Sequence, residues 1–326
     1  MRILITGATG LVGSEITRIC QERKIPVNYL TTSKEKIATK SDYHGYYWNP
    51  DKGEIDSRCF EGVTAIINLA GASISKRWTE DYKKTILSSR IDSLRTLHKA
   101  LKKYGEENPE AYGAIGSFVS ASAIGIYPNS LSNYYTEDEN QVDDSFLGEV
   151  VAAWEKEADT FGAFDFPVAK VRIGLVMSEK GGALPEMTKP IRNYIGAAFG
   201  SGEQWQSWIH ISDLARIFLF TVQHGLEGVY NGVGPNPITN NKLVKEIAKV
   251  VEKPLLLPNI PKFVMKTLLG EMSYILFASQ RVSCKKIEEA GFGFDYHNVC
   301  VALKAIYGKA AAEEKSNLVY KKEYSS

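Results

Sequence analysis

Short apolar runs alternate with helical patterns over the first half of the chain. The apolar runs predict strands at Arg2–Thr6, Val27–Leu30, Thr64–Leu69, Ile115–Ser120 and Val168–Val176. Helical patterns follow the first run through Ile16, Ile19 and Cys20, and recur over Thr79–Tyr104 and Ser145–Phe161. The run at Thr64–Leu69 shows no polar alternation, which is typical of a strand buried on both faces. Strand alternating with helix predicts an α/β fold with a doubly wound parallel sheet, the Rossmann arrangement.

The pattern changes after residue 178. Glu179–Trp208 is rich in glycine, proline and aromatic residues, so we expect a lid or a substrate loop there. Short helices are predicted at Ser212–Val222 (with Ser212 as its cap), Thr239–Val251, Pro261–Leu269, Ser283–Ala290 and Asn298–Tyr307. We therefore expect a Rossmann domain over residues 1–175, to which residues 209–233 return. A smaller, mainly helical substrate domain is expected from 176–208 and 234–308, and a disordered polar tail at 309–326.

Composition and charge exclude several classes of protein. The 326 residues suit one large or two modest domains, and 39 basic against 38 acidic residues leave a net charge of +1. A chain with so little net charge has no extended positive potential to attract a polyanion, so neither nucleic acid nor a membrane surface is an expected partner. The four cysteines lie far apart without metal-ligand spacing, so we expect no metal and a reducing compartment, the cytoplasm. No charged and apolar leader precedes the first strand, so no secretory signal is expected.

Three glycines follow the first strand at the spacing of a dinucleotide-binding turn. Gly7 allows the tight turn, Gly10 lets the backbone approach a pyrophosphate, and Gly13 lets the helix pack closely on the strand. The backbone amides expected to face the anion are those of Thr9, Gly10, Leu11 and Val12. The alternative is a glycine-rich turn without a ligand, but the strand before it and the helix after it favour a nucleotide.

The end of the second strand distinguishes NADP from NAD. A carboxylate there would bind the ribose hydroxyls of NAD. The chain has instead Thr31, Thr32, Ser33 and Lys34. Hydroxyl donors beside a cation suit a 2′-phosphate, so NADP is the predicted cofactor. The alternative is that Lys34 is only a solvated loop lysine.

Several motifs, in order along the chain, resemble those of the extended short-chain dehydrogenase/reductases. They are the turn from Thr6 to Gly13, Asn68–Gly71 and Ser120–Ser122. Further segments are similar to an atypical branch of "epimerase family" proteins with a C-terminal domain of unknown function: Lys76–Thr79, Ser89–Ile91, Ser122–Tyr127, Val171–Gly174, Gly181–Leu184, Gly200–Gly202, Ser207–His210, Pro235–Pro237 and Gly291–Phe292.

This resemblance covers about residues 1–308 and implies a sugar-nucleotide-epimerase-like fold that binds NADP, with no agreed substrate. It also implies that Leu69, Ala70 and Gly71 line the cofactor site. Members of the branch usually carry an arginine for the 2′-phosphate near the end of the second strand. This chain has Thr32 at that place, so Lys34 would have to substitute for the arginine.

The proton-transfer pair of short-chain dehydrogenases is absent from the sequence. The family uses a tyrosine whose pKa is lowered by a lysine four residues later, beside a serine that holds the developing oxyanion. None of the 17 tyrosines here has a lysine four residues later, and the expected positions hold Phe146 and Val150. The remaining catalytic candidates are Ser122 and Tyr127. Their alternatives are a hydroxyl that satisfies the strand end and a packing tyrosine.

Two arginines and three tryptophans are candidates for ligand contacts. Arg90 is predicted to face the cofactor and hold a phosphate or a substrate anion. Its alternative is a surface arginine that pairs with a residue four positions away on the same helix. Arg172 is a second candidate for a substrate anion. Trp78, Trp205 and Trp208 lie in glycine-rich loops and are predicted to roof a flat or sugar-like substrate. The alternative for these rings is a core between domains.

Two functions are consistent with these features. The first is an NADP-dependent oxidoreductase or epimerase with altered acid and base groups, acting on a small-molecule substrate. The second is a nucleotide-binding sensor or regulatory protein that has lost turnover, which the missing tyrosine and lysine favour. Related folds often form homodimers through two long helices, so a homodimer is a further hypothesis.

Overall fold

The computed structural model describes residues 1–40 and 42–308, so the predicted tail at 309–326 lies outside the described residues. The strands are β1 (Ile3–Thr6), β2 (Val27–Thr31), β3 (Thr39–Lys40), β4 (Tyr43–Asn49), β5 (Glu54–Ile55), β6 (Ala65–Asn68), β7 (Phe118–Ala123), β8 (Tyr134–Tyr135), β9 (Val168–Ile173), β10 (Leu175–Met177), β11 (Trp205–Gln206), β12 (Trp208–His210), β13 (Gly228–Gly232), β14 (Ile238–Thr239) and β15 (Arg281–Val282).

The helices are α1 (Leu11–Glu22), α2 (Glu80–Glu107), α3 (Pro109–Tyr112), α4 (Phe146–Asp159), α5 (Ala183–Arg192), α6 (Ile211–Gln223), α7 (Asn240–Val250), α8 (Lys262–Leu269), α9 (Tyr274–Phe277) and α10 (Lys285–Glu289). Residues 299–308 are also helical. Among the helices of the described ranges, none has both the length and the apolar character that crossing a membrane requires.

One large sheet positions the first half of the chain. Its strands lie in the order β13-β9-β7-β6-β1-β2-β4-β3, with β5 also paired to β4. All of these pairs are parallel except those that β3 and β5 make with β4. Helix α1 packs against α6, and α2 packs against α4, which is the doubly wound arrangement. The predicted α/β fold class is confirmed.

The strand order reverses direction on either side of β1. From β1 the chain proceeds to β2 on one side and later to β6 and β7 on the other. In open α/β sheets ligands bind in the crevice at the carboxyl ends of the strands where this reversal occurs. The glycine turn after β1 and the turn after β6 therefore lie at the expected ligand-binding edge.

Four strands of the large sheet were not predicted from the pattern: the two-residue strands β3 and β5, and the longer strands β4 and β13. Strand β4 reads YHGYYWN, in which aromatic and polar residues do not alternate regularly. Six of its seven residues are only half-buried. Strand β13 reads GVYNG, with a glycine at each end and few residues of high strand propensity. Both strands form because they pair with a neighbour, which a local pattern does not reveal.

The predicted loop at Glu179–Trp208 contains a helix, which corrects the sequence interpretation. Helix α5 buries Leu184 and Ile191. Its prolines and the glycines before it weakened the helical signal. Pro185 stands in the first turn, where an amide is not needed, and Pro190 in the last.

The cap of α6 is His210 and not Ser212. The Nδ1 atom of His210 accepts a hydrogen bond from the backbone amide of Ser212 at 3.2 Å. A ring nitrogen can replace the usual hydroxyl at this position when the histidine is neutral. Burial lowers the pKa of His210 to about 4, which keeps it neutral near pH 7.

Candidate functional site

The glycine turn after β1 has the geometry of an anion-binding site. Gly7 has φ +69°, in the left-handed region, and a Cβ on it would lie 2.9 Å from the carbonyl oxygen of Leu69. A Cβ on Gly13 would lie 2.2 Å from the carbonyl oxygen of Gly7. Gly10 differs, because its Cβ would meet only the Gly7 carbonyl oxygen, at 3.2 Å. The protein's own packing requires glycine at 7 and 13, whereas at position 10 a side chain would meet only this one oxygen atom.

Helix α1 begins at this turn without a side-chain cap. Gly10 is the N-cap, and the first turn of the helix contains no acidic residue. The first amides of a helix have no acceptor within it, so those of Leu11 and Val12 are available to an anion. Thr9 and Gly10 are exposed beside them. The residues present therefore fit the pyrophosphate of a dinucleotide.

The end of β2 presents hydroxyl groups and one cation. The Oγ1 atom of Thr31 is held by the backbone amide of Ser33 at 3.2 Å, while Thr32 and Lys34 are exposed. The Nζ atom of Lys34 lies 5.1 Å from the centre of the Tyr47 ring, and none of the ion pairs of the described residues involves it. Lys34 is therefore available to a 2′-phosphate.

A carboxylate that the sequence analysis did not consider lies in the same turn. The Oε2 atom of Glu35 accepts a hydrogen bond from the hydroxyl of Ser33 at 3.0 Å. This contact occupies Ser33, whereas the side chains of Thr32 and Lys34 make no hydrogen bond or ion pair with any of the described residues.

Polar side chains join the carboxyl ends of three adjacent strands. The Oγ1 atom of Thr6 accepts from the amides of Leu69 and Ala70, both at 3.0 Å, and donates to Asn68 at 2.7 Å. Asn68 in turn donates to Ser120 at 3.1 Å. These bonds fix the turn after β6 against the end of β1. The structure thus brings together the predicted cofactor residues that follow β1, β2 and β6 at one edge of the sheet.

Arg90 lies against the turn after β6. A Cβ on Gly71 would lie 3.2 Å from the Cζ atom of Arg90, and that Cζ atom lies 4.9 Å from the centre of the Trp154 ring. Its Nη1 atom donates to the carbonyl oxygen of Ile86 at 2.8 Å. Burial lowers the pKa of Arg90 to about 10, so the guanidinium stays charged near pH 7. The side chain is a half-buried cation beside the candidate nucleotide site.

Ser122 and Tyr127 belong to one buried network. The hydroxyl of Ser122 donates to Glu155 at 2.5 Å, and Arg172 donates to both oxygens of Glu155 at 2.8 and 2.9 Å. The remaining Nη1 of Arg172 donates to the hydroxyl of Tyr127 at 2.9 Å, and that hydroxyl donates to Asn231 at 2.7 Å. The network joins β7, α4, β9 and β13.

The electrostatics of this network favour a structural interpretation. Burial raises the pKa of Tyr127 to about 12, so its phenol stays protonated. Burial also acts to raise the pKa of Glu155, but the bonds and charge of Arg172 hold it below its usual value. We therefore assign Arg172 to this network and not to a substrate anion, because its guanidinium is engaged on both sides within the protein. Ser122 and Tyr127 are likewise engaged, which favours the structural alternatives for both.

An apolar cluster occupies the positions expected for the tyrosine and lysine. Val150 is 2% exposed and packs with Trp78 and Ile86, and we call this set with its neighbour Phe146 the Trp78 cluster. The rings of Trp78 and Phe146 meet edge to face, with their centres 5.2 Å apart. Neither Phe146 nor Val150 can transfer a proton.

The three predicted substrate tryptophans do not form one roof. Trp78 lies in the Trp78 cluster and donates to the carbonyl oxygen of Ile74 at 2.9 Å. Trp208 is fully buried in a different cluster, formed mainly by the C-terminal helices. Trp205 is half-buried and lines a third place, a cavity of about 510 Å³ beside α7. For Trp78 and Trp208 the structure favours the alternative interpretation, in which the rings pack in a core and do not cover a substrate.

The C-terminal region covers the Trp78 cluster. Met272 and Ile275 pack against it. The hydroxyl of Tyr274 donates to the carboxylate of Asp143, with oxygen distances of 2.9 and 2.8 Å, and Glu271 forms an ion pair with Lys83 of α2. This segment lies between the predicted helices Pro261–Leu269 and Ser283–Ala290, and no structure was predicted for it. Its contacts with α2 and α4 depend on the tertiary fold.

Comparisons with known proteins agree with this geometry. A sequence profile described as "NAD dependent epimerase/dehydratase family" matches residues 3–233, and a "Domain of unknown function (DUF1731)" matches residues 260–306. An "Epimerase family protein" of Staphylococcus epidermidis is 37% identical over 307 residues, which are 93% of this chain and 97% of the relative.

Two solved structures are similar along nearly the whole chain. The crystal structure of human epimerase family protein SDR39U1 (isoform 2) with NADPH has a TM-score of 0.80 and 28% identity, covering 94% of this chain and 99% of that one. A nucleoside-diphosphate sugar epimerase from Corynebacterium glutamicum has a TM-score of 0.73 and 26% identity, covering 95% of this chain and 58% of that one. The resemblance identified from the motifs is thereby confirmed: the chain belongs to the NAD dependent epimerase/dehydratase family and carries a DUF1731 region near its C-terminal end.

Proposed function

We propose that this protein is an NADP-binding oxidoreductase or epimerase-like enzyme that acts on a small molecule with acid and base groups unlike those of its relatives. The observation that carries the proposal is the turn after β1, where Gly10 has no side chain and the amides of Leu11 and Val12 have no acceptor among the described residues. The human relative crystallised with NADPH supports NADP as the cofactor.

Residues at the ends of three strands, β1, β2 and β6, would contact different parts of the cofactor. The amides of Leu11 and Val12 would hold the pyrophosphate, since the Gly10 amide donates to the carbonyl oxygen of Gly7 at 3.0 Å. Thr32 with Lys34 would hold the 2′-phosphate. The turn Leu69–Gly71, fixed to Thr6, would line the nicotinamide half. When bound, the nicotinamide ring supplies or accepts a hydride.

A second candidate function is a nucleotide-binding sensor without turnover. The Trp78 cluster favours it, because Phe146 and Val150 replace the proton-transfer pair with packed apolar side chains. The network that engages Ser122 and Tyr127 favours it further.

Fluorescence titration with NADPH and NADH tests the cofactor, and loss of absorbance at the nicotinamide band with pooled carbonyl metabolites tests turnover. The enzyme hypothesis expects NADPH to bind more tightly than NADH and at least one pool to oxidise it. Tight NADPH binding without oxidation by any pool would favour the sensor. If neither nucleotide binds, both candidates fail.

We also infer a cytoplasmic location and a homodimer. The four cysteines are free, which supports a reducing compartment. The homodimer is a hypothesis from related folds, in which two long helices pair. Light scattering of the purified protein tests it through the mass in solution.

A further inference from the structure

Arg90 is a half-buried cation that lacks a counter-ion. Its one hydrogen bond to the protein goes to a backbone carbonyl of its own helix, and none of the ion pairs among residues 1–40 and 42–308 involves it. A desolvated charge without a partner costs stability. The indole N–H of Trp154, whose ring packs on the guanidinium, is also buried without a hydrogen-bond partner. Two unsatisfied donor groups therefore lie together.

The phosphates of the cofactor do not account for this cation. The pyrophosphate belongs at the turn after β1, and the 2′-phosphate belongs at the end of β2. Arg90 lies on the other side of β1, between Gly71 after β6 and Trp154 of α4, which packs on β7. The nicotinamide half of the dinucleotide, which this side would hold, carries no further phosphate. Neither the described residues nor the cofactor phosphates balance this charge, so a counter-ion from a second molecule would complete the site.

We propose that Arg90 binds a carboxylate of the substrate, and that the substrate is a small carboxylic acid with an apolar remainder. This inference rests on the function proposed above. Among the described residues, none bonds to the edge formed by Nε and Nη2 of Arg90. This edge offers two parallel N–H groups, the geometry that a carboxylate accepts. A single cation balances a monoanion.

A phosphate monoester fits this site less well. As a dianion it would need a second cation, and the neighbouring Lys83 is already paired with Glu80 and Glu271. Arg90 adjoins the apolar Trp78 cluster, because the buried Ile86, whose backbone carbonyl accepts the Arg90 hydrogen bond, is a member of it. The partly exposed Phe146, Met272 and Ile275 at this cluster offer a place for the apolar remainder.

Isothermal titration of the NADPH-loaded protein tests the proposal with three probes: isovalerate, its neutral isostere isovaleramide, and methyl phosphate. We expect isovalerate to bind at least about tenfold more tightly than either of the others. Arg90→Gln should weaken isovalerate about 10- to 100-fold, which is the loss of charge-assisted hydrogen bonds, and change the affinity for NADPH less than about twofold. Arg90→Lys keeps the charge but loses the two parallel N–H groups, so its affinity for isovalerate should lie between those of the wild type and Arg90→Gln.

Arg95→Gln is the matched control, because Arg95 lies on the same helix, 64% exposed and paired with Glu157. It should leave all affinities unchanged, and thermal melting establishes that each variant is folded. Equal binding of isovalerate and isovaleramide, or tighter binding of methyl phosphate, overturns the proposal. A loss of NADPH affinity in Arg90→Gln also overturns it and makes Arg90 a cofactor residue. Failure of the wild-type protein to bind NADPH at all would instead refute the proposed function.

Discussion

At the scale of single residues, the three glycines of the turn after β1 differ in what would hinder a side chain at each position. Gly7 and Gly13 are required by the close approach of β1, α1 and the turn after β6. Gly10 has φ −78°, which any residue can adopt, and a Cβ there meets only one carbonyl oxygen. Binding and folding can therefore be separated at this position.

Gly10→Val should abolish nucleotide binding without unfolding the protein. The added side chain fills the space that the pyrophosphate needs, so the affinity for NADPH should fall at least about 100-fold. Fluorescence titration measures the affinity and circular dichroism the fold. Gly13→Val is the contrast, because its side chain would collide with the backbone of Gly7 and prevent folding. Unchanged NADPH affinity in Gly10→Val would refute the assignment of this turn.

Lys34→Glu should weaken NADPH more than NADH. The substitution replaces a cation with an anion where the 2′-phosphate is expected, so NADPH affinity should fall about tenfold or more and NADH affinity less than about twofold. NADH serves as the internal control because it lacks the phosphate. If the affinities for NADPH and NADH fall equally in parallel titrations, Lys34 does not bind the 2′-phosphate.

At the scale of elements, the start of α6 depends on the protonation state of one side chain. Nδ1 of His210 accepts from the amide of Ser212, and the ring stacks on Tyr296 with their centres 3.9 Å apart. Protonation would place a hydrogen on the capping nitrogen and a charge at the positive end of the helix. Both effects oppose the charged form, in addition to burial.

His210 should make the protein less stable as the pH falls from about 6.5 to about 4. The folded pKa lies below the unfolded value, so the unfolded chain takes up the proton first and the free energy of unfolding drops through this window. The expected loss is about 2 kcal/mol, allowing for partial solvation of the ring. His210→Asn is the matched control, since asparagine can cap the helix but does not titrate. Denaturant unfolding at several pH values should show a smaller loss in this variant; equal losses would exclude His210 as the cause.

At the scale of the whole molecule, the Arg172 network holds the large sheet to the C-terminal region. Tyr127 and Asn231 connect β9 to β13, and Asn231 donates onward to the carbonyl oxygen of Ser283 at 3.0 Å. The side chains involved come from distant parts of the chain. They meet only when both regions have folded.

Tyr127→Phe should destabilise the protein and leave nucleotide binding intact. The hydroxyl accepts from Arg172 and donates to Asn231, and removing it leaves two buried polar groups unsatisfied. The free energy of unfolding should fall by about 1–3 kcal/mol. A folded Tyr127→Phe protein of unchanged stability that loses a measured turnover would instead support a catalytic role.

The sequence predicted those features that local chemistry determines. The glycine turn, the buried strands beside it and the long helices after Thr79 and Ser145 follow from spacing and apolar pattern, and the structure has helices that start after both caps. The engagement of Arg172, Ser122 and Tyr127 was not predictable, because Glu155 and Asn231 lie far from them in sequence. The isolation of Arg90 was equally invisible, since the absence of a counter-ion is a property of the packed molecule.

The ring of Trp154 under the guanidinium of Arg90 has an optical consequence. Indole emission responds to a charge held close to the ring, and here that charge lies 4.9 Å from the ring centre. An anion that neutralises Arg90 would alter the electric field across the indole and shift its emission wavelength. The protein therefore contains an intrinsic reporter of occupancy, and comparison with Trp154→Phe isolates its signal from those of the other four tryptophans.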